Sequence, residues 1–141
     1  MSNLRTFVTF DADMPDDAVF ASSGDISVPR GRNVGEAFVE ALRSRAVSAS
    51  DLNQYEFYGW EITADVSGNE IWMLLQCSET WLLIIEDRSG KKTWFGKAQE
   101  PPLGSLKLID DAIKRCPRFS NVLWFTQKEY DAGMQQGSPY P

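Results

Sequence analysis

The sequence predicts an α+β fold, an antiparallel sheet with a central three-stranded meander packed against two or three helices. Three β-rich apolar segments follow one another between residues 55 and 87, separated by short turn signals. Two other stretches, from Val34 and from Leu106, repeat apolar residues at helical spacing. The resulting order, β-α-β-β-β-(β)-α-β-α, contains no fixed-period repeat and no low-complexity tract, which points to a two-layer domain.

"LRTFVTF", residues 4 to 10, alternates and is rich in β-formers, so it reads as the first strand. "DADMPDD" then interrupts it, with Pro15 preventing a clean continuation. "SVPRGRN" is a loop, and Asn33 followed by Glu36 has the spacing of a capping box. Val34, Ala37, Phe38, Ala41 and Leu42 form one apolar stripe of a helix ending near Arg45. "SASDLNQ" reads as a polar linker. The meander follows as "YEFYGWEITADV", "EIWMLLQC" and "TWLLIIED", with turns expected at Gly68-Asn69 and Ser78-Glu79. A short strand around "KTWFG" comes after a Ser89-Gly90 turn. Leu106, Ile109, Ile113 and Cys116 mark a second helix that Pro117 stops. "NVLWF" is a last strand, and Thr126 with Glu129 has capping-box spacing for a short closing helix. The domain is expected over 1–136, with 137–141 a flexible tail.

Several chemistries are excluded by composition. The chain has 141 residues and no His, so Ser-His-Asp, Cys-His and His-metal sites cannot be built from this chain alone. Its two cysteines, Cys77 and Cys116, have no paired spacing and read as reduced core thiols of a cytoplasmic protein. The first residues lack a long apolar segment, and the longest apolar runs, "IWMLL" and "WLLII", are too short for a signal peptide or a membrane span. Residues 1–87 hold 15 acids against 5 bases, whereas 88–141 hold 5 acids against 9 bases. Such a field repels phosphate backbones and attracts basic proteins.

Pairing register decides which side chains share a face of the meander. A Gly68-Asn69 turn sets Val66 by Ile71, Ala64 by Met73, Ile62 by Leu75 and Trp60 by Cys77. A Ser78-Glu79 turn sets Leu75 by Leu82 and Met73 by Ile84. The second face would then carry Trp72, Leu74, Trp81, Leu83 and Ile85, rimmed by Glu61, Thr63, Asp65, Glu70, Gln76 and Asp87. An aromatic centre with a polar rim is the anatomy of a protein-binding hot spot. The competing reading is that a helix, a loop or a second copy covers this face.

The remaining motifs favour plain structural readings. "DADMPDD" begins like a Ca²⁺ loop with Asp11 and Asp13, but Pro15, Asp16 and Ser22 stand where that pattern needs a ligand, a glycine and a glutamate. Asp11, Asp13, Asp16 and Asp17 therefore read as a source of negative field that steers a basic partner. "VPRGRNVGEA" lacks the glycine spacing of a nucleotide loop. "RSGKKTWFGK" resembles a single-strand binder in its mixture of Lys and aromatic residues, yet reads better as a solvated hairpin tip. No cationic neighbour in the local sequence would activate Cys77.

With no enzyme motif, no metal site and no cofactor motif, the leading expectation is a non-enzymatic acidic domain that binds a basic protein. In general type it resembles the small acidic immunity proteins of bacterial toxin systems, which bind and block a cognate toxin; no motif carries the resemblance, so no family residues are transferred. The alternative expectations are a small-ligand domain with Trp60, Trp72 or Trp81 lining a pocket, and a homodimer built on the second face.

Overall fold

The computed structural model describes residues 4–77, 80–88, 100–133 and 137–141. The α+β expectation holds. Its strands are β1 (Phe7–Ala12), β2 (Val19–Phe20), β3 (Ile26–Val28), β4 (Ser48–Ala49), β5 (Asn53–Tyr55), β6 (Gly59–Val66), β7 (Asn69–Cys77), β8 (Trp81–Asp87) and β9 (Phe119–Phe125). Its helices are α1 (Arg32–Ser44), α2 (Leu103–Arg115) and α3 (Gln127–Asp131). The main sheet is antiparallel in the order β4-β6-β7-β8-β1-β9, with β5 also paired to β6, and β2-β3 forms a separate hairpin. The "KTWFG" strand and the turns at Ser78-Glu79 and Ser89-Gly90 lie outside the described residues. So do the lysines and aromatics of "RSGKKTWFGK".

The core lies between one face of the sheet and the two long helices. Val34, Phe38 and Leu42 from α1 and Leu106, Ile109 and Ile113 from α2 join Val8, Phe10, Ile62, Met73, Leu75, Leu83 and Trp124 in one buried cluster. At the helix ends Asp111 of α2 pairs with Arg45 and Arg115, bracing α1 against α2.

The first helix starts differently from the sequence expectation. Gly31, not Asn33, is its N-cap, in a left-handed conformation with no side-chain cap of its own. Asp17 supplies the cap from a distance: its Oδ1 accepts from Gly31 N at 2.7 Å and its Oδ2 from Asn33 N at 2.9 Å. A carboxylate there satisfies orphan N–H groups and meets the positive end of the helix dipole. Asp17→Ala should therefore lower stability by about 0.5–2 kcal/mol in urea unfolding, while Asp11→Ala on the same stretch should change it by less than about 0.5 kcal/mol.

The closing helix follows its sequence signature. Thr126 Oγ1 accepts from Glu129 N at 3.0 Å, and Glu129 Oε1 accepts from Thr126 N at 2.8 Å. Arg5 Nε adds a bond to the same carboxylate at 3.1 Å. The Thr126 backbone bond and then Arg5 hold the Glu129 carboxyl below its ordinary range, against partial desolvation. A carboxyl whose folded pKa is depressed contributes stability above its unfolded pKa and loses it as pH falls through the folded value. Wild type should thus lose more of its urea midpoint than Glu129→Gln as pH drops below about 4.3.

Two other expectations are corrected. Parts of the "SASDLNQ" linker form β4 and β5, because a strand at a sheet edge needs only backbone pairing on one side and tolerates polar side chains. Residues 137–141 are tied down: Ser138 exchanges two backbone bonds with Trp124, and Lys114 Nζ donates to the Pro139 carbonyl at 2.6 Å. Both outer backbone groups of Trp124, on the edge strand β9, find their partners in that terminal segment.

Candidate interaction surface

The observed registers redistribute the residues expected to form one face. Between β6 and β7, Ala64 pairs with Ile71, Ile62 with Met73 and Trp60 with Leu75, two residues from the expected pairing. The turn is Ser67-Gly68, both with positive φ, at 54° and 87°. That combination suits a two-residue hairpin whose twist matches its strands. A slip of two conserves the faces, so Trp60, Ile62, Ala64 and Val66 remain in the core.

Between β7 and β8 the shift is a single residue. Leu75 pairs with Leu83, Met73 with Ile85 and Cys77 with Trp81, so three residues rather than two separate the strands. One residue turns every side chain of β8 over. Leu83 and Ile85 are core residues and Trp81 packs beside them, while Leu82 and Ile84 take the opposite face. Asp87 pairs with Ile71 on the core side, where it is 5% exposed and accepts from Asn69 Nδ2 at 3.1 Å. Trp81, Leu83 and Asp87 thus leave the expected surface; Trp72, Leu74, Glu61, Asp65 and Glu70 stay together on the far face.

That far face is not an open tryptophan platform. Trp72 and Leu74 are 8% and 7% exposed. Trp72 Nε1 donates to Glu61 Oε2 at 2.7 Å, and the Arg88 guanidinium stacks 3.9 Å from the ring centroid. Glu86 holds Arg88 in turn, at 2.8 Å. The ring of Tyr55 meets Trp72 edge-on at 6.3 Å, Tyr58 meets Tyr55 at 5.5 Å, and Phe57 meets Tyr58 at 5.5 Å. Trp72 is the buried root of an aromatic ladder that climbs out to the β5–β6 turn.

The exposed end of that ladder is where the surface becomes unusual. Phe57 is 63% exposed and Tyr58 40%; on the β2–β3 hairpin Phe20 and Ile26, which share a cleft with Phe57, are 57% and 40% exposed, and Val19 of the same hairpin is 50% exposed. Apart from Leu103 and Tyr140, these are the exposed large hydrophobic side chains among the described residues. Gln54 ties the two turns together: its Nε2 donates to Ser27 O at 2.9 Å and to Glu56 O at 2.7 Å. Glu56, next to Phe57 in the turn, adopts a left-handed φ of 52°, a conformation that costs a non-glycine residue about 1 kcal/mol. Phe20, Gly24, Asp25, Ile26 and Phe57 line an open cleft of about 570 Å³.

Sequence reasoning missed this surface because β2, β3 and β5 are too brief to show a period, and because "YEFYGWEITADV" reads as one strand although residues 56–58 are a turn and β6 begins at Gly59. A signal existed: Phe20 and Phe57 are aromatics placed within turn-like, acidic stretches, "VFASSGDI" and "QYEFYG". The four aspartates of "DADMPDD" are also divided. Asp11 faces Asn121, Asp13 is held through its backbone to Arg118, Asp16 pairs with Arg30, and Asp17 caps α1.

Other features offer less. A groove of about 620 Å³ between α1 and α2 is bordered by Arg45, Arg115 and Arg118. Asp111 engages the first two and the Asp13 carbonyl the third. Among the described residues no three or more Cys, Asp or Glu side chains converge on a common point as metal ligands would. No described helix is long and apolar enough to cross a membrane. No protein-family model, curated protein or solved structure matches the chain.

Proposed function

We propose that the chain is a non-enzymatic protein-binding domain that takes a basic protein partner, in the manner of a bacterial immunity protein. The observation that carries this reading is the joined pair of turns presenting Phe20, Ile26, Phe57 and Tyr58 with Asp25 and Glu56 among them. Monomeric proteins seldom gather exposed aromatic side chains without using them. An apolar centre supplies the contact energy, and flanking carboxylates supply orientation and a fast, salt-sensitive approach. Asp11 and Asp13, both exposed, extend the negative field; Asp16 is paired with Arg30 and Asp17 caps α1. The tryptophan-lined pocket finds less support, since neither groove described above is bordered by a tryptophan.

The test places a photo-crosslinking phenylalanine at position 57 and, as a control, at the exposed Lys107 of α2. Irradiation in the cells that make the protein should yield an adduct with a basic protein from position 57 and none from position 107. An adduct with a second copy of the chain would establish the homodimer instead. An acidic partner, or no adduct, would defeat the reading.

A further inference from the structure

Resting on that reading, we propose that the cleft between the two turns is a socket for one arginine side chain of the partner. Its walls are two exposed phenylalanine rings and Ile26, and the ionisable group among its lining residues is the carboxylate of Asp25. An aromatic wall with a single acid favours a group that is planar, cationic and carried on an apolar stem. Guanidinium meets all three conditions: it stacks on ring faces, forks onto a carboxylate and is weakly hydrated, whereas an ammonium is a strongly hydrated point charge. A purely apolar side chain would leave Asp25 partly desolvated without a counter-charge, which is costly.

The frame of the socket is organised before any ligand arrives. Ala21 N donates to Asp25 O at 2.7 Å and Gly24 N to Ala21 O at 2.9 Å, closing the hairpin turn. Ser23 Oγ donates to Asp25 Oδ2 at 3.2 Å and orients the carboxylate. Gly24 sits at φ 92°, with no atom within 4 Å of where a side chain would begin, so this corner of the cleft stays open. Across from it, the Gln54 bonds to Ser27 and Glu56 hold Phe57 at a fixed distance from the hairpin. The chain already pairs an arginine with a ring and an acid within itself: Arg88 stacks on Trp72 and donates through Nε and Nη2 to one oxygen, Oε2, of Glu86.

Three blocked amino acids serve as probes for nitrogen-15 NMR of the full chain: acetyl-arginine amide, its citrulline counterpart, which has the same shape without the charge, and acetyl-norleucine amide. The arginine probe should shift the amides of Gly24, Asp25, Ile26 and Phe57 saturably, and the citrulline probe should bind about tenfold more weakly. Asp25→Asn and Phe57→Leu should each weaken the arginine probe by about threefold or more; the leucine keeps apolar area and removes the π face. Both positions are exposed, and thermal unfolding within about 2 °C of wild type would show the fold intact. Equal binding of arginine and citrulline, shifts confined to other residues, or no saturable shift would overturn the socket. A basic adduct from position 57 alongside a failed arginine titration would sink the socket and leave the protein-binding reading standing. A successful titration with no adduct would do the reverse.

Discussion

Trp124→Ala is expected to lower stability by about 3–5 kcal/mol, seen as a fall of roughly 10–20 °C in melting temperature. Trp124 lies fully buried on the core face of β9. Its Nε1 donates to Asp110 Oδ1 at 2.8 Å, and Lys114 Nζ reaches the other oxygen of that carboxylate at 3.0 Å. Truncation removes a large core side chain and leaves a mostly buried carboxylate with one partner fewer. Trp124→Phe separates the two effects: it keeps most of the volume, so its cost should be near the about 1–3 kcal/mol of a hydrogen bond lost to a buried acceptor. A loss in the phenylalanine variant as large as in the alanine variant would place the energy in the Asp110 contact rather than in packing.

Gly31→Ala is expected to cost about 2–5 kcal/mol, although it adds only one methyl group, at the buried N-cap of α1. Gly31 has φ 103°, a region that L side chains rarely adopt. A Cβ there would lie 2.5 Å from Trp81 Cζ3 and 2.6 Å from Cη2. The indole would have to leave its place over the glycine, and the Gly31 N–H bond to Asp17 would be strained with it. A double-mutant cycle tests the cause. Trp81→Leu alone should be destabilising because the ring packs on the core, yet combined with Gly31→Ala it should recover at least about 1 kcal/mol relative to additivity. Strict additivity would assign the cost to backbone conformation alone.

The Gly31 and Trp81 contact also shows where legibility in the sequence ends. The strands of the meander and the helices α1 and α2 announced themselves through periodicity and α3 through its capping box, because those signals act within a few residues, whereas the box expected at Asn33 did not form. The Thr126–Glu129 box was readable for the same reason: both partners lie within one turn. The faces of β6 and β7 survived an error in the turn, since a slip of two residues conserves the pleat. One extra residue between Cys77 and Trp81 had the opposite effect. It exchanged Leu83 and Ile85 for Leu82 and Ile84, and both alternating sets are apolar enough to serve as core. Alternation alone could not choose between them.

The sequence by itself determined the class of fold, the surplus of carboxylates over the first 87 residues and the absence of histidine chemistry, because composition and short-range period suffice for these. Only the tertiary structure decided what the carboxylates and aromatics do. Asp17 became a helix cap 14 residues from Gly31, Asp87 turned toward the core, and Trp81 became the lid on a glycine. Phe20 and Phe57, 37 positions apart in the chain, came to line one cleft. The physical reason is common to all four. Hydrogen-bond geometry, side-chain facing and shared cavities depend on which distant backbone lies alongside, and that is set by sheet register and loop length rather than by any residue's own neighbours.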